Sequence, residues 1–292
     1  MQTTDFERAV AEWLTSMTQI GSVLFLFISF SMFYAPHYMR RRVVQAETPI
    51  SRLMSDGEEE YHRLFGRVSA IKPQAIVWLF VSVFFVSSSS LTNPGFSVPR
   101  LLSGLSFFPF FFLGLTSTLW SYSTSLYGIR KMGTTPLQLR PYFEDSTLGL
   151  KPVGSLALSL VMTYFALIGL LVTPAIVLPL DLYVVMFLSV LIILGLLMFF
   201  LPLTRLHQLM LEQKRAEKDK LSTELAQKVR GSSEAASSAD FSQVLMLEMM
   251  ERKVSSMAVW PFDTKILGKL TVIVLSLIAI LLSRVIGKYL GI

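Results

Sequence analysis

Five long runs without a charged side chain divide this sequence, between charged positions 12 and 40, 72 and 100, 100 and 130, 151 and 181, and 181 and 205. Leu, Val, Phe and Ile dominate most of them. A hydrocarbon layer of about 30 Å takes roughly 20 helical residues to cross, and a helix satisfies its own backbone there. The pattern predicts an all-α, polytopic membrane protein with about six transmembrane helices and a small cytoplasmic helical hairpin.

Punctuation residues place the boundaries. The first span is expected over 13–35, from Trp13 to Ala35, with Pro36 ending it. The second, 74–91, follows Pro73 and leads into an Asn93-Pro94-Gly95 turn; the third covers 101–127. The fourth, 153–178, enters after Lys151-Pro152, where Asp145 or Ser146 is positioned to cap, and the fifth, 182–201, stops before Pro202. The sixth lies within 261–292: only Leu270 to Ser283 is free of charge, so Lys269 and Arg284 must snorkel and Val285 to Ile292 must continue the helix.

Residues 1–202 thus form a membrane bundle, and 203–260 a hairpin outside it. After Pro202 helix formers persist, with Arg215/Asp219 and Glu224/Lys228 spaced for favourable pairs, so a helix continues out of the fifth span. Residues 231–238 have the Gly/Ser composition of a flexible linker. Beyond it, Asp240 is placed to cap a helix rich in Met and Leu, suited to its own hairpin partner or to another protein. Trp260-Pro261-Phe262-Asp263 then marks re-entry, with Trp260 and Phe262 as interface anchors and Asp263 as a cap.

Charge sets the orientation. Lys and Arg concentrate in 37–73, 128–152 and 203–265, whereas 92–100 and 178–182 carry little, so the first three face the cytoplasm. The N-terminus is then outside, as is the C-terminus if the sixth helix spans. Asp5, Glu7 and Glu12 against Arg8 lack the positive region of a secretory signal, so the first span is expected to be retained. The short loops suggest a prokaryotic plasma membrane. The pI of about 9.5 needs no nucleic acid to explain it, because the basic excess lies beside the apolar spans.

Composition narrows the chemistry. The apolar fraction is 52%, the charged fraction 16% and the mean hydropathy +0.57, the profile of a membrane chain. Zero cysteines remove disulfides, thiol nucleophiles and thiolate metal sites. His37, His62 and His207 sit in separate loops, and the Glu58-Glu59-Glu60 run beside Tyr61 reads as a solvated face. No catalytic residue, cofactor or metal site is expected. Charge-free spans also disfavour a proton-coupled carrier or a voltage sensor.

Small and hydroxyl residues recur at helical spacing in two places: Gly114, Ser117, Ser121 and Ser125 on the third span, and Ser155, Ser159 and Thr163 on the fourth. Such rows form either a helix-packing face or a pore lining. Arg40, Arg41 and Arg42 are candidate contacts for anionic lipid, or simply a stop signal for insertion. The resulting expectation is a homo-oligomeric channel or passive solute pathway with a cytoplasmic assembly or gating element. The alternative is a non-transporting scaffold or signalling subunit that holds a cytoplasmic protein through the hairpin.

Overall fold

A computed structural model describes residues 2–92, 98–174, 182–231, 238–262 and 264–290. The elements are α1 (Gln2–Gln45), α2 (Glu47–Ser51), α3 (Gly57–Phe65), a 3-10 turn (Gly66–Ser69), α4 (Ile71–Thr92), α5 (Val98–Met132), α6 (Lys151–Val172), α7 (Leu182–Gly231), α8 (Ser238–Ser255) and α9 (Thr264–Leu290). Among the described residues there is no strand, only an isolated bridge between Met54 and Leu137. The Asn93-Pro94-Gly95 turn, the end of the fourth span beyond Pro174, linker residues 232–237 and the Asp263 cap lie outside the described residues.

Three helices among the described residues are long and apolar enough to cross a membrane: α6, α7 and α9. Their packing differs. Along α6 every large apolar side chain from Val153 to Val172 is buried or half-buried, and α1, α5, α7 and α9 surround it. By contrast α7 exposes Val190, Ile193, Leu197 and Leu201, and α9 exposes Val272, Leu275, Ile278 and Leu282. Rows of this size facing outward are compatible with a membrane surrounding. Helices α1 and α4 expose similar rows, including Phe27 and Phe30, and Ile76 and Phe80.

Several boundaries differ from expectation. Helix α1 does not end at Pro36 but runs on to Gln45. Proline at that position removes the donor for the Met32 carbonyl. The Thr118 hydroxyl of α5 lies 3.4 Å from that oxygen, and Gly114 lets α5 approach it: an added Cβ would stand 2.8 Å from the Met32 Cβ. The Thr118 hydroxyl also lies 2.9 Å from the Gly114 carbonyl of its own helix, so its single proton is shared and serves the freed carbonyl only in part. The continuation past Pro202 is as expected: that proline falls inside α7, which carries fifty residues from the apolar segment into the charged one without a break. Asp240 falls inside α8 rather than before it, since that helix starts at Ser238. Glu60 is not solvated with its neighbours: α3 buries it with Tyr61, Leu64 and Phe65.

Candidate functional site

Two tyrosines join the interior helices. Tyr122 of α5 and Tyr164 of α6 stack at 4.6 Å between ring centroids, 9° from parallel. Their hydroxyls donate to successive turns of α7, Tyr122 to the Gly195 carbonyl at 3.0 Å and Tyr164 to the Leu191 carbonyl at 2.8 Å. Gly195 permits this, because a Cβ there would run into the Tyr164 ring. Both phenols are buried and satisfied, so the pair behaves as a structural lock.

Along the row predicted on α5, Ser117 and Ser121 meet Arg40. From one turn past Pro36 the half-buried guanidinium donates to Gln74 Oε1 at 2.9 Å, Ser117 Oγ at 3.2 Å and Ser121 Oγ at 3.3 Å. Ser117 also donates to Gln74 Oε1. The planar fork suits three acceptors on two helices, and it ties α1 to α4 and α5. Ser125 is buried and donates to the Ser121 carbonyl. Gly114, Ser117, Ser121 and Ser125 are therefore occupied by helix contacts. Of the three arginines expected at lipid, Arg40 turns inward, while Arg41 and Arg42 are exposed, Arg42 donating to the Tyr38 hydroxyl.

The row on α6 has a different fate. Ser155 is exposed, Ser159 and Thr163 are half-buried, and both of the latter return their hydroxyls to the helix backbone. Ser155 and Ser159 line a cleft of about 170 Å³ with Arg42, Gln45, Pro49 and Pro152. The α5 row thus meets residues of α1 and α4, whereas Ser155 and Ser159 of the α6 row face a cleft beside α1 and α2.

Two segments distant in sequence form a junction outside the apolar helices. Ahead of α6, Asp145 accepts from the Thr147 amide at 2.8 Å, the Thr147 hydroxyl at 2.7 Å and the Gly149 amide at 3.2 Å. It organises a turn in which Leu148 and Gly149 take φ of +57° and +83°, so Asp145 orders the approach while Leu150 holds the cap position. Partial burial opposes ionisation of Asp145, yet these donors and Arg140 prevail and hold its carboxyl below the usual carboxylate range.

The Trp260-Pro261-Phe262 turn docks on this approach. The Ala258 amide donates to the Ser146 carbonyl at 3.1 Å and Lys253 Nζ to the Phe143 carbonyl at 2.8 Å. Both predicted anchors are engaged by protein: Trp260 stacks on His207 at 4.3 Å, and buried Phe262 lies 6.0 Å from the Phe199 ring. His207 Nδ1 is 2.7 Å from the Val259 carbonyl. Lys214 donates to the Ser255 and Met257 carbonyls at 2.7 and 2.9 Å, closing the end of α8. These pairings make α7 and α8 antiparallel and clamp the hairpin at its base. On its outer side α8 leaves Leu245, Met246 and Met249 exposed.

Gln74, Tyr122, Tyr164 and Lys214 were not singled out by sequence reasoning. The one available signal was Gly195, the lone glycine of an otherwise bulky apolar run. No family model matches this chain, and neither a curated protein nor a solved structure matches it significantly. The arrangement defines an all-helical protein with apolar helices suited to a membrane and a clamped helical hairpin at one end.

Proposed function

We propose that this protein is a membrane-embedded docking subunit, in which α1, α4 and α5 cross the bilayer together with α6, α7 and α9. In this reading 37–73, 128–152 and 203–265 face the cytoplasm and both termini the outside, which the distribution of Lys and Arg supports, and the short loops support a prokaryotic plasma membrane. The α7–α8 hairpin then holds a cytoplasmic protein. The observation that carries this reading is the exposed row of Leu245, Met246 and Met249 on a hairpin clamped by Lys214 and His207.

Position favours a protein over lipid as the occupant of that row. From Pro202 to Lys214 a helix rises about 18 Å, and antiparallel α8 carries residues 245–249 farther out still. Thioether side chains adapt to a helical ligand, so the partner chemistry that fits is the apolar face of an amphipathic helix. A photocrosslinking residue at Met249 tests this in cells, with Met246→Glu as the competing variant. The expected result is one adduct with a different chain, lost in Met246→Glu. Absence of any adduct from folded protein, or adducts only between two copies, overturns it.

A homo-oligomeric channel is the second reading, and one observation favours it: Ser155, Ser159, Thr163 and Ala166 leave an open row on α6 where another subunit can pack. A pathway along the α5 row has less support, because Arg40 occupies it. Liposome flux from a defined oligomer, blocked by Thr163→Leu, would move the assignment to a channel.

A further inference from the structure

A groove between α5 and α7 has the chemistry of a phospholipid site. It has a volume of about 430 Å³, within the usual range for a small-molecule site. Trp120, Leu126 and Tyr127 of α5 and Met198 and Leu201 of α7 supply its walls, with Arg67 from the 3-10 turn and Arg130 from the last turn of α5 at its edges.

Three polar groups of the walls are already engaged. Ser123 donates to the Leu119 carbonyl and Thr124 to the Trp120 carbonyl, each at 2.6 Å, and the Trp120 indole donates to the Arg67 carbonyl at 3.2 Å. That leaves the exposed Tyr127 hydroxyl and the two exposed guanidinium groups, and among the described residues neither guanidinium has a carboxylate partner. Two unpaired cations beside an apolar trough complement a ligand with an anionic head and an apolar tail. A free phosphate would leave the apolar walls without a partner. The level is also suitable: Trp120 and Tyr127 are the residue types that settle at headgroup depth, and the apolar run of α7 ends at Leu201 and Pro202.

We infer that this groove holds one anionic phospholipid from the bilayer, its phosphate between Arg67 and Arg130 and an acyl chain along Leu126, Met198 and Leu201. The inference rests on α5 and α7 both crossing the membrane, but not on what the hairpin binds. Guanidinium forks match phosphate oxygens in geometry as well as charge.

Native mass spectrometry of the full-length protein, titrated with phosphatidylglycerol, phosphatidylcholine or inorganic phosphate, tests it. The expected result is one tightly held phosphatidylglycerol, with phosphatidylcholine weaker, and inorganic phosphate unable to displace the lipid. Joint Arg67→Gln and Arg130→Gln substitution should weaken binding about 30-fold, the effect of two surface cations, while Arg52→Gln, at an exposed position outside the groove, leaves it unchanged. As a check free of arginine variants, phosphatidylglycerol with brominated chains should quench the wild-type fluorescence more than that of Trp120→Phe. Equal binding of both lipids, an equal loss in Arg52→Gln, displacement by phosphate, or quenching that ignores Trp120 overturns the assignment.

Discussion

Gly154 of α6 and Pro261 meet backbone to backbone: a side chain at Gly154 would overlap the Pro261 carbonyl. The contact joins two segments more than a hundred residues apart, the Leu148 to Pro152 approach and the Trp260 to Phe262 turn. Each looks like local punctuation in the sequence. Together they are the joint through which the hairpin and α9 are set against α6.

Gly154→Ala should therefore destabilise the protein by about 1–3 kcal/mol, since the methyl has backbone in its way rather than a movable side chain. Gly66→Ala is the control, because a Cβ there meets nothing within 4 Å and its φ is −59°. It should be neutral or stabilise by about 0.4–1 kcal/mol by restricting the unfolded chain. Thermal unfolding in detergent compares the two. Equal midpoints would contradict the close contact.

At the tyrosine lock, Tyr164→Phe removes the donor to the Leu191 carbonyl but keeps the ring stacked on Tyr122. A loss of about 0.5–1.5 kcal/mol is expected. Gly195→Ala should cost more, because it pushes the Tyr164 ring off α7 and weakens both hydroxyl bonds. Hydrogen exchange of α7 amides near Leu191 separates them: a modest rise in the first variant, a broad rise in the second.

Arg40→Ala should reduce stability by about 1–3 kcal/mol, because Gln74 and Ser117 lose a charged donor in a largely dry setting. Arg40→Lys should recover only part, since an ammonium cannot reproduce the planar fork. Arg41→Gln should fall within about 0.5 kcal/mol of wild type. Similar midpoints for the Ala variants of Arg40 and Arg41 would mean that Arg40 does not bridge α1 to α4 and α5.

Asp145 predicts a pH dependence with a definite sign. Its folded carboxyl titrates below the unfolded value of about 3.9, so the ionised form is favoured by folding. The contribution is complete above that value and is lost as pH falls through the lower, folded one. Asp145→Asn should lower the thermal midpoint at about pH 7 and narrow its gap from wild type as pH approaches about 3. A constant gap across that range would remove the charge from the explanation.

Lys214→Gln removes the donor to the Ser255 and Met257 carbonyls. Amide exchange in α8 should rise, while α6 stays protected by its surrounding helices. Unchanged α8 protection would show that Lys214 does not hold the hairpin closed.

The continuous α7 was legible because its helix formers and charge pairs persist past Pro202. The extension of α1 past Pro36 was not, because the residues that pack against Met32, Gly114 and Thr118, lie on another helix. Likewise the hydroxyl row on α5 was visible as a pattern, but its occupant was hidden. Arg40 lies 81 residues from Ser121, and an arginine after an apolar run normally signals an interface.

Length and polarity along the chain were enough to indicate helices and an apolar surrounding, since long uncharged runs must satisfy their own backbone. Those are local requirements. Which face each helix turns inward was settled by contacts between distant segments: Gly114 on Met32, Gly195 on Tyr164, Gly154 on Pro261. Close packing depends on both partners at once, and a linear pattern records one surface at a time.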